Sequence, residues 1–469
     1  MSFQKHIQNP LFLAVQKASE EMNCQSFVIG GFVRDLVMRR MNKDVDIVTD
    51  GDSLALAQKT AQYLRVKKVT LFKNFGTAQF NYKKTEVEFV SARKESYRAD
   101  SRKPEVSKGT LEDDQWRRDF TINALAISLQ KESFGQLIDP FQGIEDINNK
   151  IIRTPLDPET TFSDDPLRMM RAVRFAAQLQ FTLNNDALRA IQTMAHRLEI
   201  ISMERIMVEF NKILLSKKPS VGLNLLFETN LLQQFFPEFV KLHGVEKRNG
   251  VAHKDNFYHT LEVIDNLRKN TDNLWLLWSA VLHDIAKPAT KRFEPQLGWT
   301  FHGHEDLGAK WVPKLFARFK LPLDLTMKYV QKMVALHLRP IALTKEEISD
   351  AAIRRLLFEA GDDIDDLMLL CQADITSKNE HKVKKYLANY ERVKEKLVEL
   401  EEKDRIRNFQ PPVSGELIMS TFKLQPCREV GEIKNAIKDA ILDGIIENNF
   451  EQAFDFMLRE AAKKGLIPA

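Results

Sequence analysis

Cysteine is scarce: Cys24, Cys371 and Cys427 are the only three in a chain of 469 residues. Scattered as they are, they suggest neither a disulfide frame nor a zinc knuckle, and they predict a reducing, cytoplasmic setting. No apolar run reaches the length of a membrane span, so no membrane partner is expected. The amino terminus lacks the charged-then-apolar order of a signal peptide. No internal repeat or low-complexity tract is present. Neither sign of charge dominates: 69 Lys and Arg against 65 Asp and Glu leave a net charge of +4. That balance, with a pI near 8.7, permits a nucleic-acid partner without demanding one. What remains is a globular composition, 43% hydrophobic and 29% charged, in a chain long enough for two to four domains.

Periodicity divides the chain in two. An amphipathic helix is predicted over 8–23, a strand over 26–29, a Gly-Gly turn, and a helix through 36–40. A second strand follows at 44–48, and Asp52-Ser53 caps a helix through Leu64. Strand signals recur at 69–72, 77–82 and 86–90, which together predict a small mixed sheet with helices over one face. Past about residue 145 helix patterns take over, at 165–180, 185–195, 202–215 and 220–228. Residues 236–258 carry loop signals and are expected to be a boundary. A further helical block runs from 257 to about 376, and 380–408 reads as a long, solvated helix of interleaved Lys and Glu. A Pro-Pro and Ser-Gly break at 410–415 precedes a last helical segment.

The chemistry begins at Asp44-Val45-Asp46-Ile47-Val48. Alternation on a strand puts Asp44 and Asp46 on one face, with Val45 and Ile47 on the other. Two carboxylates about 4 Å apart at an effective dielectric near 20 repel by roughly 4 kcal/mol. A hard divalent cation removes that cost, and Mg²⁺ is the usual choice where phosphates are also present. Gly30-Gly31 after the first strand lets backbone N–H groups approach a phosphate, although a bare Gly-Gly is also an ordinary strand-to-helix turn. Arg34 on the next turn can meet the same phosphates, with Asp35 to orient it. In Thr85-Glu86-Val87-Glu88-Phe89, Val87 and Phe89 face the core. Glu88 is then the expected third carboxylate, and Glu86 a solvated neighbour.

In Arg117-Arg118-Asp119-Phe120-Thr121-Ile122-Asn123, Arg118 can bind phosphate while Asp119 and Asn123 can bond a ribose. A salt-bridged helix start explains the same residues equally well. Arg168, Arg171 and Arg174 recur every third position behind Asp164-Asp165-Pro166. A surface Asp–Arg pair at i,i+3 is worth only a few tenths of a kcal/mol. Three arginines in a stripe, however, repel unless an anion or carboxylates compensate. Asp165 offers acceptors and Arg168 donors, a pair able to read a base edge.

Together these segments resemble the bacterial class II CCA-adding tRNA nucleotidyltransferases and their poly(A) polymerase relatives. The resemblance rests on Gly30-Gly31-Phe32-Val33-Arg34-Asp35, Asp44-Val45-Asp46 and Arg117-Arg118-Asp119-Phe120-Thr121-x-Asn123-Ala124. It continues through Asp139-Pro140-Phe141 with Gly143, Asp164-Asp165-x-x-Arg168 and Ser202-Met203-Glu204-Arg205. It implies an α+β chain, with a polymerase-β-like nucleotidyltransferase head followed by an all-α body. It also implies metal binding by Asp44 and Asp46, nucleotide binding by Gly31, Arg34 and Arg118, and selection of C and A by Asp165 and Arg168, supported by Arg171 and Arg174. The family's base-reading motif often opens with Glu where this chain has Asp164, so the base-reading role is placed on Asp165.

A second constellation holds His259, His283-Asp284, His304, His337 and Asp374, a mixed N/O ligand inventory suited to a divalent transition metal. His302 is expected outside the ligand set. The order resembles the HD phosphohydrolase superfamily, which implies a metal-assisted attack of water on a phosphoester, in RNA ends or nucleotides. The expected layout is a head at 1–150, a helical neck and RNA- and nucleotide-binding body at 151–240, an HD domain at 241–376 and a helical tail at 377–469. The expected partners are tRNA, CTP and ATP. The rival readings are a poly(A) polymerase, a CC-only or A-only enzyme, and a metal phosphohydrolase whose head merely binds RNA. A pure RNA-binding protein is disfavoured, because acids at 44, 46 and 88 repel phosphate without a cation.

Overall fold

The structure, a computed structural model, describes residues 2–98, 101–343, 349–376, 380–404 and 409–468. It separates into two compact units, 1–237 and 238–469.

The first unit is built on a seven-stranded sheet. Its strands are β1 (Ser26–Ile29), β2 (Asp44–Thr49), β3 (Thr70–Phe72), β4 (Thr77–Tyr82), β5 (Thr85–Ser91), β8 (Ala126–Ser128) and β9 (Leu137–Ile138). Between them in sequence, β6 (Arg93–Arg98) and β7 (Ser101–Lys108) form a separate hairpin. The order β3-β4-β5-β2-β1-β8-β9 is mixed, as the sequence predicts: β2 and β5 pair in parallel, the other neighbours antiparallel. On one face Val28, Val45, Ile47, Val87 and Phe89 are all but inaccessible to solvent, the result of strict alternation with Asp44, Asp46 and Glu88. The helices Pro10–Glu21 and Ser53–Tyr63 pack on each other, and the second also lies on β4 and β5. Asn9 and Asp52 cap them, each accepting from two backbone N–H groups of the first turn. On the acid face the sheet turns apolar further along: Phe27, Ile29, Val48, Ala92 and Ala126 form a cluster closed by Val90, Leu111 and Ile138. The carboxylates therefore stand at the edge of a buried patch rather than on an open surface.

After the sheet, β10 (Ile151–Ile152) and β11 (Thr182–Leu183) make a short parallel pair, and helices follow. The helix Leu167–Leu179 packs against Met203–Leu214 and Pro219–Glu228. Gly222 is required at that crossing, since a Cβ there would stand 2.5 Å from Ile213 Cγ2 and 3.0 Å from Ala177 Cβ. An ion pair is buried in the same interface. Arg174 Nε lies 2.8 Å from Glu209 Oε2, with side chains 9% and 4% exposed. The N–H does not point at that oxygen, so the attraction is charge on charge. Burial brings the Arg174 guanidinium down to about 10, against the pull of Glu209.

The second unit is helical. It runs from Asn256–Arg268 through Ile364–Asp374 to the 25-residue helix Glu380–Asp404. Beyond the break at 410–415 the sequence predicts one last helical segment; the structure has three helices there, Gly415–Phe422, Arg428–Leu442 and Phe450–Lys463. The αL residues Lys423 and Gly444 end the first two, turns that the apolar periodicity does not reveal. Two small hairpins also interrupt the helices: β12 (Lys247–Arg248) with β13 (Val251–Ala252), and β14 (Arg292–Glu294) with β15 (Gly298–Thr300).

Removing one partner of a buried ion pair leaves the other charge uncompensated, at a cost of about 3–5 kcal/mol. Glu209→Leu is expected to lower the unfolding free energy of the first unit by about that amount, read from urea unfolding. A loss under about 1 kcal/mol would show that the Arg174 site is solvated on removal of its partner.

Candidate active sites and a candidate metal centre

Parallel pairing of β2 with β5 sets Asp46 opposite Glu88 and Asp44 opposite Glu86. Burial pushes the Asp46 carboxyl upward, Arg118 opposes that, and Asp44 adds to it. Glu88 is raised for the same reason, by burial first and then by Asp46 and Glu86. The sheet thus concentrates more negative charge than its surroundings neutralise, which is the condition a divalent cation relieves. The three head acids do not close into a tight cage: among the described residues, the groups of three ligand atoms within 4.8 Å of one another lie in the second unit. An Mg²⁺ ion does not need such a cage, since it keeps waters and shares one or two carboxylates with substrate phosphates. Asp44, Asp46 and Glu88 fit that mode.

Gly30 abuts these acids. Its φ of 82° is a left-handed value that glycine adopts without strain. A Cβ there would fall 2.9 Å from an Arg118 guanidinium nitrogen and 3.3 Å from Asp46 Oδ2. Gly31 opens the helix Gly31–Val37. Arg34, on that helix, does not point freely outward. It is 8% exposed, donating from Nε to Asp35 and from a terminal nitrogen to Asn123 Oδ1 at 2.8 Å. Asp35 in turn accepts from Asn42, so it orients Arg34 as the sequence allows.

Asn123 and Asp119 sit in the middle of a chain of hydrogen bonds. Asn123 donates to Asp119 Oδ1 at 3.0 Å, and Arg171 Nε donates to Asp119 Oδ2 at 2.7 Å. Burial alone would push the Asp119 carboxyl up, but Arg171 and Asn123 hold it below the usual carboxylate range. Asp114, fully buried, anchors the neighbouring arginines: Arg118 Nε donates to it at 3.1 Å, and Arg117 pairs with its other oxygen. Asp114 escaped the sequence reading, although its i,i+4 spacing to Arg118 was legible.

The arginine stripe resolves one residue at a time. Arg174 meets Glu209 and Arg171 meets Asp119. Arg168 meets no carboxylate of its own helix start, donating instead to the backbone carbonyls of Thr161 and Arg117. Asp165 receives Leu167 N–H on one oxygen and the Arg205 guanidinium at 3.2 Å on the other. Phe175 was not singled out from the sequence, yet Arg174, Arg34 and Arg171 all lie within 5.5 Å of its ring centre, at 4.0, 5.1 and 5.5 Å. A π face beneath crowded cations offsets part of their mutual repulsion. Arg117, Arg118, Asp119, Asp165, Leu167, Arg168, Arg171 and Arg205 line a cavity of about 280 Å³. Arg118 thus belongs both to the acid pair and to the cavity wall.

In the second unit all six residues of the His/Asp constellation converge. His259 lies on the first helical turns of Asn256–Arg268, His283 and His337 follow the last residues of Leu274–Leu282 and Leu325–Leu336, and His304 opens His304–Arg318. Asp374 closes Ile364–Asp374. Three rings use Nδ1 in one way, 2.7 Å from the backbone carbonyl three residues earlier: Ala280, Phe301 and Val334. For His283 and His337 that carbonyl belongs to a helix end, where it lacks an intrahelical partner. Donation from Nδ1 leaves the Nε2 lone pairs directed into the centre. These three Nε2 atoms are buried and have no hydrogen-bond partner. They surround the carboxylates: His304 Nε2 is 3.2 Å and His283 Nε2 3.3 Å from Asp284, and His259 Nε2 is 2.9 Å from Asp374. Burial and the neighbouring His283 bring His337 down to about 3, so it stands as a neutral donor. Orphaned imidazole nitrogens around Asp284 and Asp374 fit a divalent transition metal. His302 is exposed and outside the cluster. Two lysines missed in the sequence flank it: Lys287 Nζ is 2.6 Å from Asp284, and Lys254 Nζ is 3.0 Å from His259 Nδ1.

Family models match three stretches of the chain: a poly A polymerase head domain over 26–153, a probable RNA- and SrmB-binding site of polymerase A over 180–242, and an HD domain over 256–378. The multifunctional CCA protein of Shewanella frigidimarina is 33% identical over 307 residues, covering 63% of this chain and 70% of that protein. The A-adding tRNA nucleotidyltransferase of Deinococcus radiodurans is 32% identical over 345 residues, 70% of this chain and 74% of that one. A solved CCA-adding enzyme with ATP shares the fold across 99% of both chains, with a TM-score of 0.65 at 21% identity. The chain therefore belongs to the tRNA nucleotidyltransferase and poly(A) polymerase family, in a form that carries an HD domain.

Proposed function

We propose that this nucleotidyltransferase adds C, C and A to the 3′ end of tRNA from CTP and ATP, in the cytoplasm, without a nucleic-acid template and with release of pyrophosphate. The observation that carries the reading is the double part of Arg118, whose charge acts on the Asp46 carboxyl and whose side chain walls the arginine cavity. One residue thereby couples the place where phosphate charge is handled to the place where a base is held.

Asp44 and Asp46, with Glu88 beside them, would hold Mg²⁺. When bound, a pair of such ions supplies charge neutralisation at the attacking 3′-hydroxyl and the leaving pyrophosphate. The protein's share is placement. The Gly30-Gly31 turn admits a triphosphate close to the backbone, and Arg118 and Arg34 face its charge. Asp119 and Asn123 keep both the ribose side and Arg171 in position. Asp165 presents a carboxylate oxygen to an exocyclic amine, and Arg168 presents N–H groups to the adjacent ring acceptor, a pattern met by C and A. Asp165 and Arg168 have fixed partners on the protein, so the pattern is rigid and can serve in place of a template strand.

Curated relatives of this chain are named for CCA addition and for A addition alone, so the product distinguishes the readings. Incubation with a tRNA transcript lacking its tail, CTP, ATP and Mg²⁺, followed by sequencing of product ends, is expected to yield CCA. Homopolymeric A, CC alone or A alone would replace this assignment.

A second reading concerns the His/Asp centre, where three buried Nε2 atoms without partners favour a metal-assisted phosphoesterase acting on RNA ends or nucleotides. His259, His283, Asp284, His304, His337 and Asp374 would hold the metal, which when bound supplies Lewis acidity toward a phosphoester.

Three variants separate these roles. Asp46→Ala is expected to lower nucleotide addition by about 10³-fold or more, a barrier rise of roughly 4 kcal/mol, with tRNA affinity retained in a filter-binding assay; full activity would remove the metal role. Arg168→Ala is expected to narrow discrimination of C and A from U and G by about tenfold, the worth of a bidentate base contact; unchanged selectivity in single-nucleotide incorporation would take Arg168 out of base reading. Asp284→Ala is expected to abolish bound transition metal, measured by elemental analysis, and phosphoesterase activity, leaving nucleotide addition intact.

A further inference from the structure

The two hairpins of the second unit carry a surface outside the nucleotide-addition site proposed above. Residues 241–254 and 287–302, which contain them, hold seven Lys or Arg against two Glu. That excess is larger than the net +4 of the whole chain. Asp255, next in sequence, caps its own helix with one oxygen and accepts from the Gly244 N–H with the other. The charge alternates with rings. Phe293 and Trp299 are cross-strand partners with ring centres 5.2 Å apart. His253 stands edge-on to Trp299 and Phe301, at 5.4 and 5.8 Å. Arg248 lies 5.0 Å from the Phe293 ring, Lys291 5.3 Å from Trp299 and Lys287 5.7 Å from Phe301. The hairpins are locked together, with Trp299 Nε1 donating to the Val251 carbonyl at 3.2 Å. Phe293, Trp299 and Phe301 are all half-buried, while Lys247, Arg248 and Arg292 are exposed.

This surface adjoins the His/Asp centre directly. Lys254 follows His253 and donates to Thr376 Oγ1 at 2.6 Å, beside His259. Lys287 reaches from the Phe301 ring to Asp284, 2.6 Å from its carboxylate. Rings and cations therefore lead, within one side chain's length, to the six candidate ligands.

We infer that the paired hairpins are a binding platform for single-stranded RNA, which delivers a strand to the His/Asp centre. Single-stranded RNA offers one phosphate per base and a π face on every base, so it matches a surface in which cations and rings alternate. Duplex RNA keeps its base faces stacked and could use only the cations. An acidic peptide would likewise leave the rings unused. What the centre does to the strand rests on the phosphoesterase reading above; binding does not.

The test uses the full chain. Fluorescence anisotropy measures its affinity for a twelve-residue oligouridylate, and a single 4-thiouridine in that oligomer maps contacts by cross-linking and mass spectrometry. Cross-links are expected on the tryptic peptides that contain Phe293, Trp299 or Phe301. Combined Lys247→Glu, Arg248→Glu and Arg292→Glu is expected to weaken binding at least tenfold. It should also lower the salt slope of the affinity by about 2, three phosphate contacts on single-stranded RNA. Nucleotide addition to tRNA should be unchanged. Trp299→Leu, with all charges kept, should weaken binding but leave the salt slope as it was. An affinity within twofold of the unaltered chain in the triple variant overturns the proposal. So do cross-links confined to residues before 238, or displacement of the RNA by polyglutamate as readily as by unlabelled oligouridylate. Loss of phosphoesterase activity in Asp284→Ala with binding retained would leave the platform standing, whereas failure of the unaltered chain to bind oligouridylate while that centre is active would overturn the platform alone.

Discussion

The buried carboxylate of Asp119 joins the sheet to the arginine helix. It accepts from Arg171 and from Asn123, and Asn123 accepts from Arg34 at the Gly-Gly turn. Without a fixed acceptor there, the guanidiniums of Arg34, Arg171 and Arg174 would crowd one aromatic ring with like charge. Breaking a buried charged hydrogen bond leaves its partner desolvated and unpaired, which costs more than the bond contributed. The chain of contacts is therefore rigid, and the cavity it walls keeps its donors and acceptors in fixed directions. A protein surface can replace a template strand only if its hydrogen-bonding pattern does not relax around the wrong base.

Two kinds of centre are built on opposite electrostatic plans. In the head, Asp46 and Glu88 are both raised by burial and by neighbouring acids, so negative charge is in surplus there. At the His/Asp centre imidazoles and Lys287 oppose the effect of burial on Asp284, and backbone carbonyls fix the Nδ1 side of His283, His304 and His337. The first plan suits an ion that enters with its substrate, and the second a resident ion.

Glycine and helix ends do much of the placing. Gly30 leaves free the space that a Cβ would take from Arg118 and Asp46, and Gly222 permits the helix crossing that buries the Arg174–Glu209 pair. His283, His304 and His337 all stand at helix boundaries, and a backbone carbonyl three residues earlier orients each ring. In the second unit, short hairpins fill the space between such ends with aromatic and basic side chains.

Much of this was legible in the residues alone. Strand alternation put Asp44, Asp46 and Glu88 on one face, because the period of a strand is two whatever the fold around it. The mixed sheet, the helical remainder and the order of the six metal-type ligands could be read in the same way, because local propensity and spacing agree with the final structure. The partners of the arginines could not. Glu209 is 35 residues from Arg174 and Asp119 is 52 from Arg171, and nothing local separates a carboxylate that compensates a buried guanidinium from one on a solvated helix. Phe175 beneath three cations, Arg205 on Asp165 and the hairpin platform beside Lys254 and Lys287 were likewise decided by tertiary packing. Sequence spacing fixes which side chains share a face; only the folded chain fixes which faces meet, and charge pairing at a few ångströms depends on the second.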